Sequence, residues 1–305
     1  MSFDIVSIGE PMIEFNQTNR GEPAYLQGFG GDTSNTAIAA ARQGAKVAYY
    51  TRLGEDAFGD LLLKLWAEEG VDASHVERDA AAFTGVYFVQ HGPQGHVFHY
   101  LRAGSAASRM QAVPEALLGG ARYVHASGIS LAVAGPAVAQ ALRRAKQAGA
   151  RISFDSNLRL KLWPLERATP AIAEAAALSD YFFPSLEDAR ALSGLDDAEA
   201  MLDWAHRLGA KNVFLKLGAG GVIASDGSRR VAIKGKNVRS VDATGAGDCF
   251  CGAALARLAA GDDVFAAARY ANAAAALSTT GYGAVAPIPR TALVMQQLAA
   301  EDLHA

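Results

Sequence analysis

Val241-Asp242-Ala243-Thr244-Gly245-Ala246-Gly247-Asp248 runs without a break into the apolar stretch Cys249-Phe250-Cys251-Gly252-Ala253-Ala254-Leu255. Small residues directly ahead of a helix let consecutive backbone N–H groups point at an anion, and the helix dipole adds to the attraction. The segment reads as a phosphate cradle opening a helix over residues 247–258. Asp248 falls in the first turn, where a carboxylate favours the dipole. Beside those amides it can also accept a proton from a hydroxyl that attacks a phosphoryl group. From spacing alone, both readings stand.

Two absences narrow the chemistry. There is no GxxxxGK[ST], which disfavours a Walker-type nucleotide site, and no GxGxxG after the first apolar strand, which disfavours a dinucleotide dehydrogenase. A second glycine cluster, Leu215-Lys216-Leu217-Gly218-Ala219-Gly220-Gly221, follows a predicted strand. Its glycines would let a nucleotide approach the backbone, or would make a tight strand-to-strand turn.

Outward from these segments, short β-branched runs alternate with Ala/Leu-rich periodic stretches, the pattern of a parallel sheet covered by helices. Strands are predicted over 4–8, 46–52, 123–126, 151–155, 181–183, 212–216 and 221–225. Helices are predicted over 33–43, 57–69, 136–148, 186–192, 198–208 and 247–258. One region breaks the alternation. Two β-rich runs, 85–91 and 96–102, flank Gly92-Pro93-Gln94-Gly95 and predict an antiparallel hairpin in which His91 faces His96 and Tyr87 faces Tyr100. Tyr87, Val89, Phe98, Tyr100 and Arg102 then share one face. That face either binds a polar anionic ligand through the tyrosines and the guanidinium, or packs on the core with Arg102 reaching outward. Residues 12–17 and 25–29 would pair with the hairpin as a small accessory sheet. His91, His96 and His99 alternate between faces and read as solvated hairpin residues.

The chain has 305 residues, 28 Lys+Arg against 31 Asp+Glu and a formal charge of −3, without the basic excess of a nucleic-acid binder. With 50% hydrophobic and 19% charged residues it has the composition of a globular protein with a sizeable core. Cys249 and Cys251 cannot build a disulfide framework and, two apart on a helix, face different sides. Asp4 and the lack of basic residues before the first apolar run argue against a signal peptide, so a cytoplasmic chain is expected. The long uncharged stretch 124–142 is interrupted by Ser127-Gly128, Ser130 and Gly135-Pro136, and reads as strand, loop and buried helix without a membrane span.

Taken together, these segments resemble the ribokinase-like (PfkB) family of carbohydrate kinases. Gly30-Gly31-Asp32-Thr33-Ser34-Asn35 is similar to its GGxxxN sugar-binding segment, and 52–60 to its G-x-D-x-x-G stretch. Asp242–Asp248 matches its DxTGAGD signature. The resemblance implies an α/β fold, a three-layer αβα sandwich formed by 1–11, 30–83 and 104–305, with a β-sheet lid formed by 12–29 and 84–103. It implies ATP as phosphoryl donor and Mg²⁺ as cofactor. It makes Asp248 the base and gives the transferring phosphoryl group to the Gly245, Ala246 and Gly247 segment. Gly30, Gly31, Asp32 and Asn35 go to the sugar, and Thr244, Lys216, Gly218, Gly221 and Asn272 to the nucleotide. For Asn272, helix capping and core packing stay open.

Within the family, residues 98–108 look like the Y-x-R-x-x-S-A-x-S stretch of 2-keto-3-deoxygluconate kinases, and 154–163 like their D-x-N-x-R-x-x-L-W segment. The implied substrate is a sugar acid phosphorylated at its terminal hydroxyl, giving the 6-phosphate. Arg102 is its carboxylate partner, aided by Tyr87 and Tyr100, with Asn157 and Arg159 on the nucleotide side. A kinase of a neutral ketose or nucleoside, and a non-catalytic sugar sensor, are the alternatives. One segment departs from the family: Pro184-Ser185-Leu186-Glu187-Asp188 puts Ser185 and Asp188 where the family often has Asn and Glu around its Mg²⁺ waters. Glu187 and Asp188 are the metal candidates through water, and Ser185 as a helix N-cap is the alternative. A homo-oligomer formed through the lid is expected.

Overall fold

The computed structural model describes residues 2–92 and 95–302. In chain order the first half contains β1 (Phe3–Ile8), β2 (Met12–Gln17), β3 (Tyr25–Gly30), α1 (Asp32–Arg42), β4 (Val47–Tyr50), β5 (Arg52–Gly54), α2 (Ala57–Glu69), β6 (Val71–Asp72), β7 (Glu77–Asp79), β8 (Val86–Gly92) and β9 (Gly95–Leu101). There follow α3 (Glu115–Gly119), β10 (Ala121–Ser127), α4 (Gly128–Gln147), β11 (Arg151–Asp155), α5 (Leu165–Leu178), β12 (Tyr181–Phe183), α6 (Leu186–Ser193) and α7 (Ala198–Leu208). The chain ends with β13 (Asn212–Lys216), β14 (Gly221–Ser225), β15 (Arg230–Lys234), α8 (Ala246–Ala260), α9 (Val264–Ser278) and α10 (Thr291–Asp302).

Nine strands form one sheet in the order β15-β14-β13-β12-β11-β10-β1-β4-β6. From β6 to β13 every neighbouring pair is parallel, whereas β14 and β15 are added antiparallel. The purely parallel sheet expected from the alternation is therefore mixed at one edge, because residues 218–220 make a tight 3₁₀ turn too short for a crossover helix. Each face of the sheet carries its own apolar core. One joins Val6, Val124, Ile152 and Phe182 to residues of α4, α5, α6 and α7. The other joins Ile5, Tyr123, Phe183 and Phe214 to α1, α2, α8 and α9. Alternating side chains feed the two helical layers, the three-layer α/β arrangement expected from the sequence.

Two segments differ from expectation in detail. The stretch predicted as one strand over 46–52 divides, with β4 staying in the main sheet while β5 pairs in parallel with β7. In the 124–142 stretch no loop separates strand from helix: Ser127 ends β10 and caps α4, accepting a hydrogen bond from the Ser130 N–H at 3.1 Å. The Gly-Pro interruption is absorbed as a kink, with Ala134 out of helical geometry two residues before Pro136.

The second sheet has the order β3-β2-β8-β9. The hairpin register is the one the spacing predicts, Tyr87 opposite Tyr100 and the backbone of His91 opposite that of His96. Pro93 and Gln94, the tip of that loop, lie outside the described residues. The predicted aromatic face forms: Phe98 and Tyr100 stack with ring centroids 6.2 Å apart, and Tyr87 lies 5.7 Å from Tyr100. His91 and His99 bond to side-chain amides of Asn16 and Gln90 at 3.0 Å, as hairpin residues do. No helix among the described residues is long and apolar enough to cross a membrane.

Candidate active site

Parallel strands all end on the same edge of the sheet. The chain winds from β1 towards β4 and β6, then returns to build β10 to β13 on the other side, so the strand order reverses beside β1. Ligand sites of open α/β sheets form outside the carboxyl ends of the strands at such a reversal. Here those ends supply Glu10 after β1, Asp155 from β11 and Lys216 from β13, while α1 and α8 bring in Asp32, Asn35 and Asp248. Segments far apart in sequence converge: Asn35 donates through Nδ2 to Asp248 Oδ2 at 2.8 Å, and Thr36 Oγ1 donates to the Asp248 carbonyl at 3.2 Å.

At the cradle, α8 opens on Gly245 in the left-handed region with φ 76°. An added Cβ there would lie 3.0 Å from the Ala284 methyl and carbonyl, so both backbone and space call for glycine. Gly247 differs: its added Cβ would meet only Lys216 Nζ, at 3.5 Å, leaving open space before the helix terminus. By position, the amides of Gly247 and Asp248 lack intrahelical acceptors. Open space, free donors and a positive dipole end fit a nucleotide phosphate. Asp242, the first residue of the signature, takes no part in that space. It is buried and ties the loop, accepting from the Thr244 N–H and Oγ1 at 2.9 and 2.6 Å and from the Gly283 N–H at 2.9 Å.

Asp248 sits among acids. Burial first, and the Asp32 carboxylate second, push its pKa up to about 7, opposed by the Asn35 donor and the Lys216 ammonium. Asp32 is itself raised by burial, with Asp155 adding to the shift. A carboxylate that exchanges its proton near neutrality is suited to general-base work. The Asn35 Oδ1 is buried without a partner, next to the amide nitrogen that holds Asp248.

Arg102 does not stand ready as a free cation. It forms an ion pair with Glu10, which also accepts from Ser105 Oγ at 2.7 Å and whose pKa is raised by burial despite Arg102. Its Nε remains buried and unpartnered, and its guanidinium lies 5.6 Å from the Tyr100 ring centre. Glu10 follows the first apolar strand as a lone acid, but nothing in the sequence signals its partner, 92 residues later. Tyr87 is buried, donates its hydroxyl to Glu14 and covers Gly30, where an added Cβ would run into the phenol ring. Gly31, at φ 102°, caps α1 against the backbone of Glu10 and Pro11.

Two residues expected on the nucleotide side have neighbours from α1 and β9. Asn157 donates through Nδ2 to Asp32 Oδ2 at 2.7 Å, and its own N–H reaches Asp155 at 3.2 Å. It is the one non-glycine residue with positive φ, 26°, among the described residues, and such backbone outliers cluster at functional sites. Arg159 makes no ion pair among the described residues; its charge acts on Asp32 and on Tyr100. The turn after β11 thus brings Asn157 against Asp32 of α1.

Other expected nucleotide residues have structural partners. Lys216 is already paired: its side chain is 14% exposed and its Nζ lies 2.7 Å from Asp155 Oδ2. Gly221 is buried in the β14–β15 pairing, where an added Cβ would strike the Ile233 carbonyl, whereas Gly218 faces open space. Asn272 donates to the Lys234 carbonyl at 2.8 Å and ties α9 to β15.

For the metal, Ser185 is the N-cap of α6, accepting from the Asp188 N–H at 3.0 Å. The Asp188 carboxylate is buried and accepts from Ser156 Oγ at 2.7 Å and the Leu158 N–H at 3.1 Å, while Glu187 is exposed and makes no ion pair among the described residues. No group of three or more His, Cys, Asp or Glu side chains among the described residues is arranged to hold a metal ion directly. The donor set fits an Mg²⁺ that keeps its waters and rides on nucleotide phosphates, the usual habit of that ion.

The pfkB family carbohydrate kinase model matches residues 2–291. A 2-dehydro-3-deoxygluconokinase of Thermoproteus tenax is 36% identical over 94% of this chain and 92% of its own. Fructokinase-1 of Zea mays is 34% identical over 96% of each. An Escherichia coli protein described as a ribokinase II, solved in complex with ATP and Mg²⁺, superposes with a TM-score of 0.90 at 26% identity, covering 98% of this chain and all of the other. Relatives named for a sugar acid and for a neutral ketose thus match almost equally, while the fold, the signature loop and the family model agree: the chain belongs to the pfkB family of carbohydrate kinases.

Proposed function

We propose that this kinase transfers phosphate from ATP to the terminal hydroxyl of a sugar acid, 2-keto-3-deoxygluconate, giving the 6-phosphate. The observation that carries the reading is Arg159, a guanidinium with no ion pair among the described residues whose charge acts on both Tyr100 and Asp32. A substrate carboxylate needs such a partner and a neutral hexose does not. Arg102 takes a supporting part, since Glu10 already neutralises it, though its buried Nε–H is without a partner.

ATP supplies the phosphoryl group and Mg²⁺ the countercharge on its oxygens, with Asp188 the residue to hold a metal water. Asp248 accepts the proton of the attacking hydroxyl while Asn35 holds its carboxylate and offers Oδ1 to the sugar. The amides of Gly247 and Asp248 stabilise the charge that gathers on the phosphoryl oxygens. The four-stranded sheet acts as a lid that excludes water.

A coupled ATP-consumption assay over sugar acids and neutral sugars tests the substrate. Turnover of fructose or ribose without any keto-deoxy acid would sink it and leave the kinase intact. Arg159→Gln should raise KM for the acid by about 10-fold or more, as expected for a desolvated charge pair. The competing reading, a neutral-ketose kinase, draws on the Glu10–Arg102 pair, which leaves the aromatic face without a free charge, and predicts no response to Arg159→Gln.

A further inference from the structure

Lys216 lies beneath the cradle, and the mechanism above leaves it unused. Its ammonium is clamped by Asp155 at 2.7 Å and is 4.0 Å from Cys251 Sγ, while that thiol lies 3.3 Å from the same Asp155 oxygen. Among the described residues outside α8, the one atom within 4 Å of an added Cβ on Gly247 is this Nζ, so the charge borders the first turn of α8, one residue from Asp248. The groups acting on Asp248 come from every side. Asp32 faces it from α1, Asp155 from β11 and Lys216 from β13, with Asn35 bonded to it; Tyr87 of β8 and both Cys249 and Cys251 of its own helix feel its charge. Asp188 and His125 lie within range of the Asp155–Lys216 pair. Among these groups Lys216 supplies the cation that acts on Asp248.

We propose that Lys216 is a positioning residue: clamped by Asp155 beneath Gly247, its ammonium keeps Asp248 in the proton-accepting form and is not a ligand of ATP. Burial disfavours a lone ammonium, but the Asp155 carboxylate overrides this and holds Lys216 protonated well past neutrality. A fixed positive charge of this kind costs no reorganisation during the reaction. The two members of the clamp have opposite effects on Asp248: Lys216 favours its carboxylate and Asp155 opposes it.

The proposal rests on Asp248 being the base, and its test separates the two claims. The acid limb of kcat/KM is measured in wild type, Lys216→Gln, Lys216→Met and Lys216→Arg, with the nucleotide Kd determined by calorimetry. Removing the ammonium should move the limb to higher pH by about half a unit or more, a roughly threefold or larger change in proton affinity. Lys216→Arg should keep the wild-type limb, and Lys216→Met should move it to higher pH as Lys216→Gln does. The Kd for ATP should change by less than about threefold in Lys216→Gln. If that variant fails to fold, the upward shift in Lys216→Met and the unmoved limb in Lys216→Arg carry the test. A limb unmoved in both charge-removing variants, or a tenfold weaker Kd with an unmoved limb, would overturn the role of Lys216. A wild-type limb that persists in Asp248→Asn would overturn Asp248 instead.

Discussion

Gly247→Ala is the sharpest probe of the cradle, because the structure separates its effect on folding from its effect on chemistry. The new methyl would meet a single atom, Lys216 Nζ at 3.5 Å, an ordinary contact. Alanine is also the better helix former, by up to about 1 kcal/mol in a helix interior. Stability should therefore hold or rise slightly. The methyl would instead stand in the open space before the α8 amides, where the proposed mechanism puts phosphoryl oxygens. Losing one such donor typically costs about 10²–10³ in kcat, or roughly 3–4 kcal/mol. Gly245→Ala is the control with the opposite profile. At φ 76° and with Ala284 at 3.0 Å, it should lose about 1–2 kcal/mol to backbone strain, and more to the contact. Paired thermal melts and saturating-ATP assays check both variants. If Gly247→Ala turned over within about threefold of wild type, or melted as low as Gly245→Ala, the cradle would not be the phosphate site.

Asp248→Asn should lower kcat by about 10²–10⁴. Since the carboxylate must be unprotonated to act, wild-type kcat/KM should fall below about pH 7. Its raised pKa also sets a stability signature. Between the unfolded value and about 7 the folded state holds the extra proton, so stability declines as pH rises through that window. Asp248→Asn should accordingly raise the melting temperature at pH 8 more than at pH 4, and an equal effect at both would refute the charge argument. Arg102→Ala should destabilise by about 3–5 kcal/mol because it strands Glu10 in the interior. Adding Glu10→Ala should recover part of this in denaturant titrations. Asn157→Gly relieves the positive φ yet removes the bond to Asp32, so turnover should drop more than stability; a variant with full activity would show that the bond is idle.

The alternation of β-branched and Ala/Leu-rich runs was enough to predict layered α/β architecture, since burial on both faces demands near-continuous apolar strands. The hairpin register was equally legible, because a four-residue Gly/Pro loop and a period of two leave a single pairing for Tyr87 and Tyr100. The signature Asp242–Asp248 announced a helix N-terminus with an acid in its first turn. Local sequence could not say which charges are already spoken for. Arg102 read as a free cation until Glu10, brought beside it by the turn out of β1, was seen to neutralise it. Lys216 read as a nucleotide ligand, but the parallel ends of β11 and β13 bring Asp155 to it. Arg159 was expected near ATP, and its charge acts on Asp32 and Tyr100. Backbone geometry follows from short-range periodicity and sterics. The partner of a charge is a contact between distant segments, and only the sheet's strand order, which brings the ends of β1, β11 and β13 to one edge, decides it.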